Sequence, residues 1–386
     1  MTSQVHTFIH PLLDPVDACG GYLVELSANG SENHQATEYI VRHSLLDAFD
    51  HRHPWFVPAA PLDSASPARL IATFHTCPSA QPDPLESGLR QSKRKLALAL
   101  AANGKLPASG AWEHLLITLS QARTLPSFTL QGLSARTMIV ATGVQNHSDR
   151  DWARGHACTL CTGEYLMTRA ALGKKADTTR QKMLQLIALI AQDADTAELD
   201  QIFRQETKLS YSLLRLVNSA AIAPRTPITS FAQAINLLGR RQLERWLQLL
   251  IYADPENDHH PNPLLYKAAI RGRLMELLSV ELSPAPDLPN LADGAFMIGS
   301  FSLLDVLLNM PMAEILQQLP LASTVNAALA HHGGAAGKLL LALEAADRRN
   351  LPVATGILDE LGIDPARFVD AQMQALSWAG RIHTAA

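Results

Sequence analysis

Cys158 and Cys161 stand as a Cys-x-x-Cys pair with His156 just ahead of them, a spacing that serves a zinc ion or a redox disulfide. Zinc needs a second ligand pair, and Cys19 and Cys77 are not arranged as one. A redox pair needs a thioredoxin-like setting, which the neighbouring residues do not supply. The two are therefore read as ordinary thiols in a short helix or turn. A second constellation places Asp254, Glu256 and Asp258 ahead of His259 and His260. These are possible metal ligands, but their position before Pro261 reads as a solvated polar loop. His331 and His332 precede Gly333 and Gly334 at an expected helix end, where imidazole interacts well with the dipole. Arg240, Arg241 and Arg245 beside Trp246 form either a small basic contact patch or a solvated face, Arg241 and Arg245 being i, i+4 neighbours. Arg215, Asn218 and Ser219 interrupt an apolar helix, and a polar pair at a helix end usually satisfies backbone groups across a turn. Arg215, Asn218, Ser219, Arg240, Arg241, Arg245 and Trp246 are thus the candidate interaction or structural hub. No catalytic residue, metal ligand or cofactor is predicted.

The elements that must position these groups fall into two textures. A chain of 386 residues favours two domains, and an apolar content of 47% with only 18% charged residues argues for globular cores over disorder. The formal charge of −4 gives no sign of a nucleic-acid surface. The opening MTSQVHTFIHPLLD lacks a basic region followed by an apolar stretch. No apolar run approaches the roughly 20 residues that span a bilayer. A cytosolic location without a membrane partner is expected. The first part of the chain reads as short strands, Gly21–Leu26, Trp55–Val57, Arg69–Phe74, Lys95–Leu100, His114–Thr118 and Thr137–Val140, with helices such as Pro84–Ser92 and Asp149–Gly155 between some of them. From about Thr178 helical periodicity takes over. Residues 1–172 are read as one α/β domain, 173–180 as a linker and 181–386 as an all-helical domain.

Within the helical part, the run from Leu209 to Asp254 is the most specific. LLRLVNSA ends in a polar pair, and Pro224 and Pro227 break the chain. Thr229 or Ser230 can cap a helix carrying Phe231, Ala234, Ile235 and Leu238, which Gly239 closes. A basic helix with Trp246 follows. The segment resembles the HDOD domain, a helical module related to HD-type phosphohydrolases, in which these phrases recur in this order. That resemblance implies the loss of the metal ligands found in the hydrolases, and the chain has no His-Asp dipeptide. A later block, Gly299, Ser302, Leu303, Leu304 and Asp305, resembles a helix in the closing part of proteins that join an EAL-like domain to an HDOD domain.

The opening of the chain carries the other half of that resemblance. His10-Pro11-Leu12-Leu13-Asp14 followed by Tyr22-Leu23-Val24-Glu25-Leu26 looks like the start of an EAL-type cyclic-di-GMP phosphodiesterase, a TIM-like barrel whose strand ends hold divalent metal. Position by position, Leu23 stands for the signature Glu, Ala99 and Leu100 for paired acids, and Gln145 for a late Glu. Glu25, two residues beyond Leu23, lies on the same strand face and is the nearest substitute ligand. The resemblance as a whole is to EAL-HDOD signalling proteins. It implies an α+β multidomain protein with a degenerate TIM-like domain followed by an HDOD helical bundle. Such a protein would act by contacts with other signalling proteins and not as an enzyme. The alternatives are a divergent cyclic-di-GMP phosphodiesterase using Glu25, or a cyclic-di-GMP receptor.

Overall fold

A computed structural model describes residues 5–27, 40, 45–63, 65–75, 83–169, 226–252, 262–288 and 290–383, with isolated positions at 188, 189, 195, 213, 214, 217 and 218. The chain divides into two compact units. One comprises Gln4–Thr168 together with Asp347–Leu351, and the other Arg169–Ala346 with Pro352–Ala386. The expected linker, 173–180, lies outside the described residues.

The first unit is a closed eight-stranded barrel in sequence order: β1 (Thr7–Leu13), β2 (Cys19–Leu26), β3 (Trp55–Pro58), β4 (Leu70–His75), β5 (Leu96–Ala99), β6 (His114–Thr118), β7 (Met138–Thr142) and β8 (Leu160–Thr162). β1 runs antiparallel to both β2 and β8, and every other neighbouring pair is parallel. Each strand sends one apolar side chain into a central layer, Leu12, Leu23, Phe56, Ile71, Ala97, Leu116, Val140 and Leu160, so the barrel has a filled interior and no pore. The six expected strands correspond to β2–β7. β1 hides from strand reading because Pro11 interrupts it. The proline is tolerated because it pairs only with β2, β8 joining at Leu12. β8 is three residues long and contains Cys161, which corrects the expectation of a short helix or turn there.

Helices α1 (Pro84–Gln91), α2 (Leu119–Thr124), α3 (Ser127–Ser134) and α4 (His147–Gly155) connect the later strands. Their starts are set by local chemistry. Asp83 accepts the Leu85 amide ahead of Pro84, Asn146 accepts the Asp149 amide, and Thr118 with Gln121 forms a capping box.

The second unit is helical among its described residues: α5 (Phe231–Leu238), α6 (Arg240–Leu250), α7 (Pro263–Ser279), α8 (Leu291–Phe301), α9 (Leu304–Leu307), α10 (Met312–Leu316), α11 (Ser323–His331), α12 (Gly334–Asp347), α13 (Leu351–Glu360) and α14 (Pro365–His383). Ser230 accepts the Gln233 amide while the Gln233 side chain accepts the Thr229 amide, fixing the start of α5. Gly239, at φ 73°, separates α5 from α6. α7 is buried nearly all round, which marks it as the centre of its unit. α8 lies against it so closely that a Cβ on Gly299 would come within 2.5 Å of the Arg271 carbonyl. The expected helix through Gly299 and Asp305 is broken at Ser302–Leu303. The Ser302 hydroxyl donates to the Gly299 carbonyl at 2.7 Å, and the chain restarts as α9. No described helix is long and apolar enough to cross a membrane.

Candidate functional site

Chemistry in a barrel of this kind is placed where the parallel strands end. Two or four residues beyond the apolar layer, on the same strand face, stand Glu25 (β2), Pro58 (β3), His75 (β4), Ala99 (β5), Thr118 (β6), Thr142 (β7) and, just past β8, Glu164. Because β1 is antiparallel, His10 belongs to the same end. Of these positions only Glu25 and Glu164 carry a carboxylate. The substitute ligand foreseen at Glu25 does face the barrel mouth, but it is already engaged.

Its partner is Arg349, from the connection between α12 and α13, a segment that belongs to the barrel unit. Arg349 Nε donates to Glu25 Oε2 at 2.7 Å and Nη2 to Glu25 Oε1 at 2.6 Å, a two-pronged guanidinium–carboxylate pair. The third nitrogen, Nη1, donates to Glu164 Oε1 at 3.3 Å. His10 Nε2 lies 3.4 Å from Glu25 Oε2. Glu164 is 3% exposed and its Oε2 is buried without a hydrogen-bond partner. Burial pushes the Glu25 carboxyl up, but the hydrogen bonds from Arg349 and the charges of His10, Arg349 and His75 outweigh it and hold the group below its ordinary range. Burial opposes the charge on Arg349, and the same carboxylates reverse that and keep it protonated.

A divalent cation of the kind the barrel resemblance implies takes six or more oxygen ligands. Here both Glu25 oxygens receive N–H donors. Thr118 is bound to its own helix cap, and Leu23 is part of the apolar layer. Leu100 is buried just past β5, and Gln145 is exposed past β7. The residues present do not fit a metal as they stand. Nothing local announces Arg349 in the sequence, since 324 residues separate it from Glu25.

Cys158 and Cys161 are buried, and burial pushes their thiols up to about 11 and about 12. His156 stacks flat on Trp152 at 4.0 Å, with its Nδ1 2.7 Å from the Trp152 carbonyl oxygen. Iodoacetamide at pH 8 is expected to leave both thiols of the native protein unmodified while reaching the half-buried Cys19, and to modify both after urea unfolding. Mass spectrometry of the digested protein reads this directly, and native alkylation of Cys161 at the unfolded rate would contradict it.

In the helical unit, Asn218 donates to the carbonyls of Leu214 and Ile228 and accepts the Ile228 amide, each at 2.7 Å, so it ties Leu214 to Ile228. Arg245 donates to Asp293 at 2.7 Å, pairs with Glu276 at 2.7 Å and lies over the Phe296 ring, which joins α6, α7 and α8 from inside. Trp246 is fully buried near Trp378. Arg215, Ser219, His259 and His260 lie outside the described residues, as do the side chains of Arg240 and Arg241. His332 closes α11 in the left-handed conformation, its Nε2 3.3 Å from Glu344. The buried Arg271 donates to Ser302 at 2.7 Å and sits 3.9 Å from Glu344. Burial raises the Asp305 carboxyl, and Arg169 Nε lies 3.9 Å from it.

Comparison with known proteins identifies one module. Residues 177–255 match the family model of the HDOD domain, so an HDOD domain is present in this chain. The chain is 29% identical over 181 residues to YuxH of Bacillus subtilis, covering 46% of this chain and 42% of that protein. It is 26% identical over 252 residues to the cyclic di-GMP phosphodiesterase CdgJ of Vibrio cholerae, covering 64% of this chain and 57% of that one. The chain thus spans about half the length of these curated relatives. Among solved structures, the Bacillus subtilis YkuI protein, with an EAL domain and in complex with cyclic di-GMP and calcium, aligns at 13% identity and a TM-score of 0.30. The alignment covers 60% of this chain and 71% of YkuI.

Proposed function

We propose that this chain is a signal-transduction regulator that acts through protein contacts of its HDOD half, and that its barrel does not turn over a substrate. The observation that supports this most is the Arg349 guanidinium on Glu25 and Glu164. Metal-assisted phosphodiester hydrolysis needs oxygen ligands free to hold a cation and activate a water. The carboxylates at the barrel mouth are committed to an arginine instead. On this reading the partners are other signalling proteins in the cytosol. Binding of cyclic di-GMP without hydrolysis would be a secondary property of the barrel.

A second reading, a divergent cyclic-di-GMP phosphodiesterase, is favoured by the similarity to CdgJ. Incubation of the purified full chain with cyclic di-GMP and Mg²⁺ or Mn²⁺, followed by chromatography of the nucleotides, separates the two. No linear product above the buffer control is the expected outcome. Conversion that depends on the added metal would overturn the regulatory reading.

A further inference from the structure

We propose that the seam joining β5 and β6 at their N-terminal ends is an acid-sensitive lock, with the buried His114 imidazole as the group that takes the proton. His114 opens β6 and faces the barrel interior, on the same strand face as Leu116 of the apolar layer. It is 6% exposed, its ring meets the Phe56 ring of β3 edge-on at 5.3 Å, and it pairs in register with Ala97 of β5 and Met138 of β7. Its Nδ1 lies 3.3 Å from the Leu96 carbonyl oxygen, which can only accept, so Nδ1 carries the hydrogen. The Glu113 carboxylate next to it accepts the Leu96 amide at 3.0 Å. Both backbone groups of Leu96 thus gain side-chain partners from the entry to β6, and this clamp works with a neutral imidazole. A second proton places a charge among Phe56, Ala97 and Met138. The charged groups that act on the ring are Lys95, ahead of β5, which opposes that charge, and Glu113, which favours it. Burial is the largest influence and, with Lys95, outweighs the Leu96 carbonyl and Glu113, holding the imidazole below its ordinary 6.5. The stability of the lock is therefore fully present above 6.5 and is lost as pH falls from there through the lower folded value. This gives the barrel a response to acid that needs neither ligand nor turnover.

Amide hydrogen exchange of the full chain, corrected for the intrinsic pH dependence of exchange, reads the seam in peptides covering β5 and β6. Between pH 7.5 and pH 5.5 the wild-type protection is expected to fall several-fold, up to the roughly tenfold that one proton supplies a pH unit below 6.5. His114→Gln, whose amide can still donate to the Leu96 carbonyl but takes no proton, is expected to keep its protection over the same range. His53, also held low by burial, is common to both proteins, so the difference between them isolates His114. Protection that falls equally in both proteins, or in neither, overturns the proposal. If His114→Gln fails to fold, exchange of the imidazole C2 hydrogen in the wild-type chain, followed by mass spectrometry across pH, decides. A lower midpoint for native His114 than for the same residue in the urea-unfolded chain supports the lock, and an equal or higher one overturns it. These readouts do not involve turnover, so their outcome is independent of the hydrolysis assay.

Discussion

Replacement of Arg349 by methionine is expected to cost the barrel unit about 3 kcal/mol at neutral pH, the range for removing one partner of a largely buried ion pair. The loss arises because Glu25 and Glu164 remain as carboxylates in a site with little water, 24% and 3% exposed. Arg349→Lys should lose less, since an ammonium keeps the charge but cannot make the two-pronged contact. The deficit should also depend on pH. With its folded value below the ordinary 4.5, Glu25 contributes stability that is fully present above that value and is lost as pH falls through the lower folded one. Without the guanidinium, burial is opposed only by His10 and His75, so the group moves up and the ionised form becomes more costly as pH rises. The gap between Arg349→Met and wild type should therefore widen from pH 4 to pH 7. Amide hydrogen exchange of β2 and β8, together with urea unfolding, measures it. A neutral-pH difference under about 0.5 kcal/mol would place the contact among ordinary surface pairs.

Gly299→Ala is expected to destabilise the helical unit by about 3 kcal/mol, and Gly299→Val by more. The added Cβ would meet the Arg271 carbonyl oxygen at 2.5 Å, with the Arg271 carbonyl carbon and the Gly272 Cα both at 2.8 Å. All three are backbone atoms, so no side chain can rotate away and α8 must lift off α7. Lifting would also separate Ser302 from the buried Arg271. Gly356→Ala in α13 provides the opposite case. No atom lies within 4 Å of the added methyl, so helix propensity should stabilise by roughly 0.5–1 kcal/mol. Thermal unfolding of the two variants should shift in opposite directions. Equal, small shifts would show that α7 and α8 have room to spare.

The strands β2–β7 were legible because each carries an apolar run bounded by turn residues, and α5 because its capping residues and i, i+3, i+4 pattern agree. β1 and β8 were not, one because a proline interrupts it and the other because three residues carry no period. Leu23, Ala99 and Gln145 were singled out by the family resemblance, as was Glu25 as the nearest substitute carboxylate. Arg349 could not, since a contact across 324 residues leaves no local mark. Arg245 shows a different limit. The arginines of this helix read as a contact patch or a solvated face, whereas Arg245 finds Glu276 and Asp293 within its own unit; Trp246, read as inward-facing, is core. Sequence alone does not tell a solvated arginine from one whose carboxylates lie 31 and 48 residues away.

The distance between Glu164 and Arg349 also sets a clock. The last barrel carboxylate is synthesised 185 residues before the guanidinium that balances it. At roughly 5–20 residues per second, that interval is on the order of 10–40 seconds. Throughout it the nascent barrel has all eight strands but two carboxylates lacking their counter-charge. This is the interval in which a chaperone or protease would find it most open. A chain terminated after Thr168 would remain permanently in that unfinished condition.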